Sequence, residues 1–242
     1  MKDPVSIRFN LVNTDFFLSQ ADVYILKYPR GLRGVEEKAA KKFRDNGVNI
    51  LPHLPALNEY SLFESNGIFP AKKILYIGVP YLHDFGYHEI HLFAKKSLLI
   101  LKSEMIDVSE INVTIHGANY GLNLHEAFQS EIHGFIDAIH ENAYPKSLKT
   151  ITISEKKLSY YLECKKILEQ LLPDGYYPRN NSDVTLSPQN NPDNRLIFIS
   201  CKSEDFKLAS LFYEYLNNMG KRVFFSEKSI PAIGNANSYV IG

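Results

Sequence analysis

Net charge is the first thing missing from this chain. Its 27 Lys and Arg balance 27 Asp and Glu, so no basic stripe is available for a nucleic-acid backbone or an anionic membrane surface. Cysteine is scarce too. Cys164 and Cys201 stand far apart without paired spacing, which argues against a disulfide framework or a zinc cluster and makes a reducing cytoplasm the expected setting. No apolar run approaches the roughly 20 residues needed to span a bilayer. The opening Met-Lys-Asp-Pro lacks the apolar segment of a signal peptide, and no internal repeat is visible.

What is present is an alternation of strand and helix patterns. Strands are expected at 6–12, 22–28, 60–64, 72–79, 111–115 and 149–154, and helices at 35–46, 89–101, 124–140 and 155–172. Most of the strand runs are continuously apolar, which points to a mixed, largely parallel sheet covered on both faces. Residues 173–194 hold four prolines and a cluster of Asn, Ser and Asp without apolar periodicity, the pattern of a linker. The expected division is therefore a first α/β domain over 1–172, a linker over 173–194 and a second segment over 195–242.

That second segment reads as strand, helix, strand. Leu196–Ile199 is a short apolar run, and Asp205 is placed to cap the helix after it. Leu208, Leu211, Phe212, Tyr215 and Leu216 share one helical stripe, and Val223-Phe224-Phe225 begins the next strand. Such a unit is one crossover of a parallel sheet. The box Phe198-Ile199-Ser200-Cys201-Lys202-Ser203-Glu204-Asp205, the strand Val223-Phe224-Phe225-Ser226-Glu227 and the loop Ser229-Ile230-Pro231-Ala232-Ile233-Gly234-Asn235 together resemble the opening of a bacterial Toll/interleukin-receptor (TIR) domain. Cys201 stands where an aromatic residue is more usual.

The TIR resemblance implies signalling or antiphage defence, with NAD+ as a substrate cleaved at the nicotinamide–ribose bond and no separate cofactor. It implies substrate contacts at Ser200, Lys202, Ser226, Lys228, Ser229 and Gly234. The family's catalytic glutamate lies on a later helix, so only the first part of such a domain is expected here and this chain is expected to be catalytically silent. The alternative implied by the same resemblance is a non-enzymatic scaffold acting through TIR–TIR self-association.

In the first domain the strongest binding signal is the turn from Ile111–Ile115 into the helix at 124–140. Gly117 and Gly121 bound the turn, Asn123 is placed to cap the helix, and Glu126 is placed to complete a capping box. Free amides at a helix start beside glycines suit a phosphate, so His116, Gly117, Gly121 and Asn123 form a possible phosphate loop; a plain tight turn is the alternative. The run from Gly67 to Pro80, the opening Asn13-Thr14-Asp15, Ala21-Asp22-Val23 and the loop from Gly31 to Gly34 resemble a macrodomain, the fold that also forms the N-terminal domain of leucyl aminopeptidases. The resemblance implies a macro-like mixed sheet flanked by helices and binding of an ADP-ribose-like nucleotide, with Arg30 and Arg33 available to a diphosphate. The family's asparagine pair is replaced by Leu26-Lys27-Tyr28, which argues against ADP-ribose hydrolysis. His83, His88 and His91 lack a zinc-hydrolase motif, and no metal is expected. The fold class expected for the whole is thus α/β: a macro-like sheet, a linker, then a partial flavodoxin-like TIR strand–helix–strand fragment.

Overall fold

A computed structural model of the protein describes residues 6–104, 107–117, 121–179, 196–199, 201, 205–219 and 222–225. The chain divides into two compact units, 1–181 and 182–242.

The first unit is built on a seven-stranded mixed sheet. Its strands are β1 (Ser6–Val12), β2 (Ala21–Tyr28), β3 (Tyr60–Glu64), β4 (Ala71–Gly78), β5 (Glu110–Thr114), β6 (Thr150–Ser154) and β7 (Tyr176–Pro178). They lie in the order β3-β4-β2-β5-β6-β1-β7. The five inner strands are parallel, while β3 and β7 close the two edges antiparallel. The helices are α1 (Gly34–Asp45), α2 (Tyr87–Ser103), α3 (Leu124–His140) and α4 (Leu158–Leu171).

Side-chain alternation sends successive residues of each strand to opposite faces. On one face Val23, Ile25, Leu75, Ile77, Ile111, Val113, Ile151 and Ile153 meet α2, α3 and α4 in the larger core. On the other, Tyr24, Leu26, Ile74 and Tyr76 meet Ala39, Ala40 and Phe43 of α1, with Phe16 and Phe69. This second core stops at β2. Over β5 and β6 the same face carries Asn112, Thr152 and Ser154, held in side-chain hydrogen bonds: Ser154 to Asn112 (2.8 Å), Thr152 to Glu110 (2.6 Å) and Asn112 to the Phe16 carbonyl (3.1 Å). β5 and β6 are thus buried on both faces but apolar on one, whereas β2 and β4 bury apolar side chains on both. The sequences of β1, β5 and β6 alternate instead, because one of their faces is polar.

Two expectations need correction. The stretch read as linker begins inside the first unit's sheet, since residues 176–178 form β7 against β1. Asp205 stands at the start of its helix but makes no side-chain cap there. In the second unit β8 (Leu196–Ile199) and β9 (Arg222–Phe225) pair in parallel across α5 (Phe206–Asn218), making a two-stranded sheet separate from the larger one. Among the described residues no helix is long and apolar enough to cross a membrane.

Candidate functional site

The chain leaves β2 toward one side of the sheet, reaching β4, and leaves β5 toward the other, reaching β6. The helices after these neighbouring strands fall on opposite faces, α1 on one and α3 on the other. The carboxyl ends of β2 and β5 are therefore a topological switch point, where the connecting loops diverge and where open α/β sheets place a ligand crevice.

One wall is the β2–α1 loop, residues 29–33. Arg30 and Arg33 are exposed, and Arg30 adopts a left-handed backbone (φ 54°), uncommon for a residue with a side chain. Helix α1 starts after Arg33 without a side-chain cap. Beneath this wall Lys27 is buried and ion-paired with Glu36, whose carbonyl accepts from the Tyr76 hydroxyl at 3.1 Å.

The opposite wall runs from β5 to α3. Gly117 and Gly121 both take φ near +88° (88° and 87°), a conformation that a Cβ makes costly. A Cβ on Gly117 would also come within 2.9 Å of Leu122 and Ile90. Asn123 caps α3 by accepting from the amides of His125 (2.9 Å) and Glu126 (3.3 Å). The capping box expected from Glu126 is not closed directly. The Asn123 amide donates instead to the Tyr87 hydroxyl (3.0 Å), and Tyr87 in turn bonds Glu126. Burial and then the Glu126 bond push the Tyr87 phenol up to about 12, so it stays protonated and able to donate.

His116 lies below the glycine loop rather than on it. It is buried, and its ring stands edge-on to Phe93 (4.6 Å between centroids) and Phe85 (6.3 Å). Its Nδ1 bonds Glu131 of α3 at 2.8 Å, and its backbone amide donates to the other oxygen of the same carboxylate at 3.3 Å. His116 therefore supports the loop from inside the core; the sequence pattern that placed it at a nucleotide gave no sign of Glu131, fifteen residues on. Residues 118–120 lie outside the described residues.

The β4–α2 loop, residues 79–86, joins the two walls. Arg30 lies over the Tyr81 ring (5.3 Å to its centroid), and Phe85 touches His116 at the other end. The histidines near it go to separate partners: His83 to Asp84 (3.2 Å) and His91 to Asp137 on α3 (3.0 Å). Among the described residues no three His, Cys, Asp or Glu side chains are grouped to hold a metal.

In the second unit an open groove of about 460 Å³ runs along α5, lined by Ile199, Cys201, Asp205, Leu208, Ala209, Phe212 and Leu216. Apart from Asp205 and Cys201 its walls are apolar, and they hold no cluster of polar groups. Ser200, Lys202, Ser226, Lys228, Ser229 and Gly234, the residues the TIR resemblance singles out, all lie outside the described residues.

No protein-family model and no curated protein matches the chain. Solved structures match it in fold. A point mutant of the Oceanobacillus iheyensis macrodomain is 18% identical, with a TM-score of 0.50, covering 67% of this chain and 92% of that one. The Trypanosoma brucei macrodomain is 16% identical, with a TM-score of 0.50, covering 66% of this chain and 67% of that one. A structure of the T. brucei macrodomain in complex with ADP is likewise 16% identical, with a TM-score of 0.48 over 67% of this chain and 68% of that one. The chain thus carries a macrodomain-like fold over about two thirds of its length, and these likenesses concern the fold alone.

Proposed function

We propose that the first unit binds an ADP-ribose-like nucleotide, with its diphosphate in the crevice between the β2–α1 and β5–α3 loops. The observation that carries this reading is the pair of left-handed glycines, Gly117 and Gly121, leading into the Asn123-capped start of α3. Left-handed glycines let the backbone approach an anion closely, the dipole at the start of α3 favours negative charge, and exposed Arg30 and Arg33 stand on the neighbouring β2–α1 loop. A net charge of zero argues for a small anionic ligand over a polyanion. Lys27, at the end of β2, is occupied by Glu36 and leaves that strand end without the family's asparagine pair, which favours binding over hydrolysis. Calorimetry with ADP-ribose tests it. Wild type should bind, and Arg33→Glu should weaken binding about tenfold or more; no heat from wild type at millimolar ligand would remove the proposal.

A second reading concerns residues 195–242 and rests on the parallel β8–α5–β9 crossover. It makes this unit the opening of a TIR-like module that follows the first unit in the chain, with NAD+ as the substrate of a form that holds the family glutamate. TIR–TIR docking is its non-enzymatic alternative. Incubation of this chain with NAD+ should release no nicotinamide above background. Release that persists after repurification would place a catalytic carboxylate within these 242 residues.

A further inference from the structure

Three helices follow the carboxyl ends of β2, β4 and β5, and each carries a glutamate at the third position after its cap: Glu36 in α1, Glu89 in α2 and Glu126 in α3. A glutamate there ordinarily reaches back to the cap amide and lays its own negative charge on the positive end of the helix dipole. Such a carboxylate satisfies the helix and, by the same charge, repels an incoming anion.

Glu89 behaves in this way, accepting from the Gly86 amide at 2.9 Å and closing the start of α2. Glu36 is turned back over the start of α1: one oxygen lies 3.7 Å from where a Cβ on Gly34 would stand, and the other pairs with buried Lys27. Helix α3 differs. The Asn123 amide donates to the Tyr87 hydroxyl at 3.0 Å, and that hydroxyl in turn donates to Glu126. A phenol brought in from α2 thus stands where the carboxylate would otherwise sit, and Glu126 is held one hydrogen bond further from the cap. The placement is fixed by packing, because Tyr87 opens α2 and its ring lies against the larger core.

We infer that Tyr87 is a positioning residue for the ligand anion at α3: it keeps the Glu126 carboxylate off the helix cap, so that a phosphate meets the dipole of α3 instead of a fixed negative charge. The inference rests on the nucleotide-binding reading and adds to it a residue that acts on the ligand through another side chain. Without the hydroxyl, Glu126 closes a direct capping box on the Asn123 amide. That charge-assisted bond suits the helix and weakens its hold on an anion.

Calorimetry with ADP-ribose on the full chain compares wild type, Tyr87→Phe, Glu126→Gln and the double variant, each checked by thermal melting. Tyr87→Phe should lose about tenfold in affinity, the effect of bringing one negative charge closer to a diphosphate. The double variant should regain most of that loss, while Glu126→Gln alone gains less than about threefold, so that the rescue belongs to the pair. A loss that persists in the double variant would mean a merely structural role for the hydroxyl and would overturn the inference, as would unchanged affinity in Tyr87→Phe. Wild type that binds no ADP-ribose would sink the nucleotide-binding reading and this inference with it. Should Tyr87→Phe not fold, wild-type NMR decides: the Glu126 side-chain carboxyl signal should move little on saturation with ADP-ribose. A large move would show the ligand displacing that carboxylate despite Tyr87, and the assignment would fall.

Discussion

Glu131 bonds His116 twice, through the ring Nδ1 at 2.8 Å and the backbone amide at 3.3 Å, with both side chains fully buried. A carboxylate with no access to water is costly unless its oxygens are bonded, and here each oxygen takes one partner from the same residue. The result fixes the end of β5, so the glycine loop starts from a rigid point. Glu131→Leu leaves a buried amide and imidazole without their acceptor and should cost about 3 kcal/mol in urea unfolding. Glu131→Gln, which keeps one acceptor, should cost clearly less. Equal losses in the two variants would show that side-chain volume, not hydrogen bonding, holds this point.

Lys27 and Glu36 make a second buried contact below the crevice, a salt bridge. Removing one partner strands the other charge out of water, so Lys27→Met alone should destabilise the fold by about 3–5 kcal/mol. The double change Lys27→Met with Glu36→Leu should recover most of that loss, because two apolar groups need no partner. A double mutant as unstable as the single one would mean that the pair contributes through something other than mutual charge.

His133 on α3 sets an acid limit. Burial, helped by neighbouring His91, lowers its imidazole from 6.5 to about 4. Between those pH values the unfolded chain holds a proton there that the folded protein does not, so stability falls as pH drops from 6.5 toward 4 and levels off below. The full effect is about 3 kcal/mol. His91 and His125, also lowered chiefly by burial, act in the same direction. Asp137, raised by its own burial, acts in the opposite direction. Urea midpoints at pH 7 and 4.5 measure the sum, and His133→Gln should flatten the difference; an unchanged slope in that variant would refute the assignment.

Helices α2 and α3 approach closely at Gly134. A Cβ there would fall 2.2 Å from the His91 carbonyl oxygen and 2.8 Å from the Ala94 side chain, so the backbone itself would have to move. Gly134→Ala should therefore lose about 1–3 kcal/mol although alanine is the better helix former. A stabilised variant in thermal melts would show that the two helices can part without penalty.

The helices and most strands were legible because their apolar residues follow a 3.6 or 2.0 period along enough chain to be seen. β7 was not: three residues flanked by turn formers carry too little pattern, and its place depends on pairing with β1, about 170 residues earlier. The glycine loop could be located from Gly117, Gly121 and Asn123, whose conformational roles are local. What completes the crevice is long-range. Tyr87 enters the Asn123 cap from another helix, Glu131 meets His116 across a strand–helix turn, and Arg30 finds Tyr81 across two strands. No spacing rule encodes such meetings. The polar face over β5 and β6 was readable in their alternation, but the longer apolar runs of β2 and β4 outweighed it.

Each compact unit holds one thiol, and the two differ in kind. Cys164 is sealed inside the first unit, where burial pushes its pKa up and keeps it protonated, while Cys201 at the end of β8 is partly open to solvent. A maleimide dye at neutral pH would accordingly mark the smaller unit alone. Because the chain contains no tryptophan, one introduced in the larger unit would be its sole indole, and energy transfer between the two labels would report the separation of the units directly.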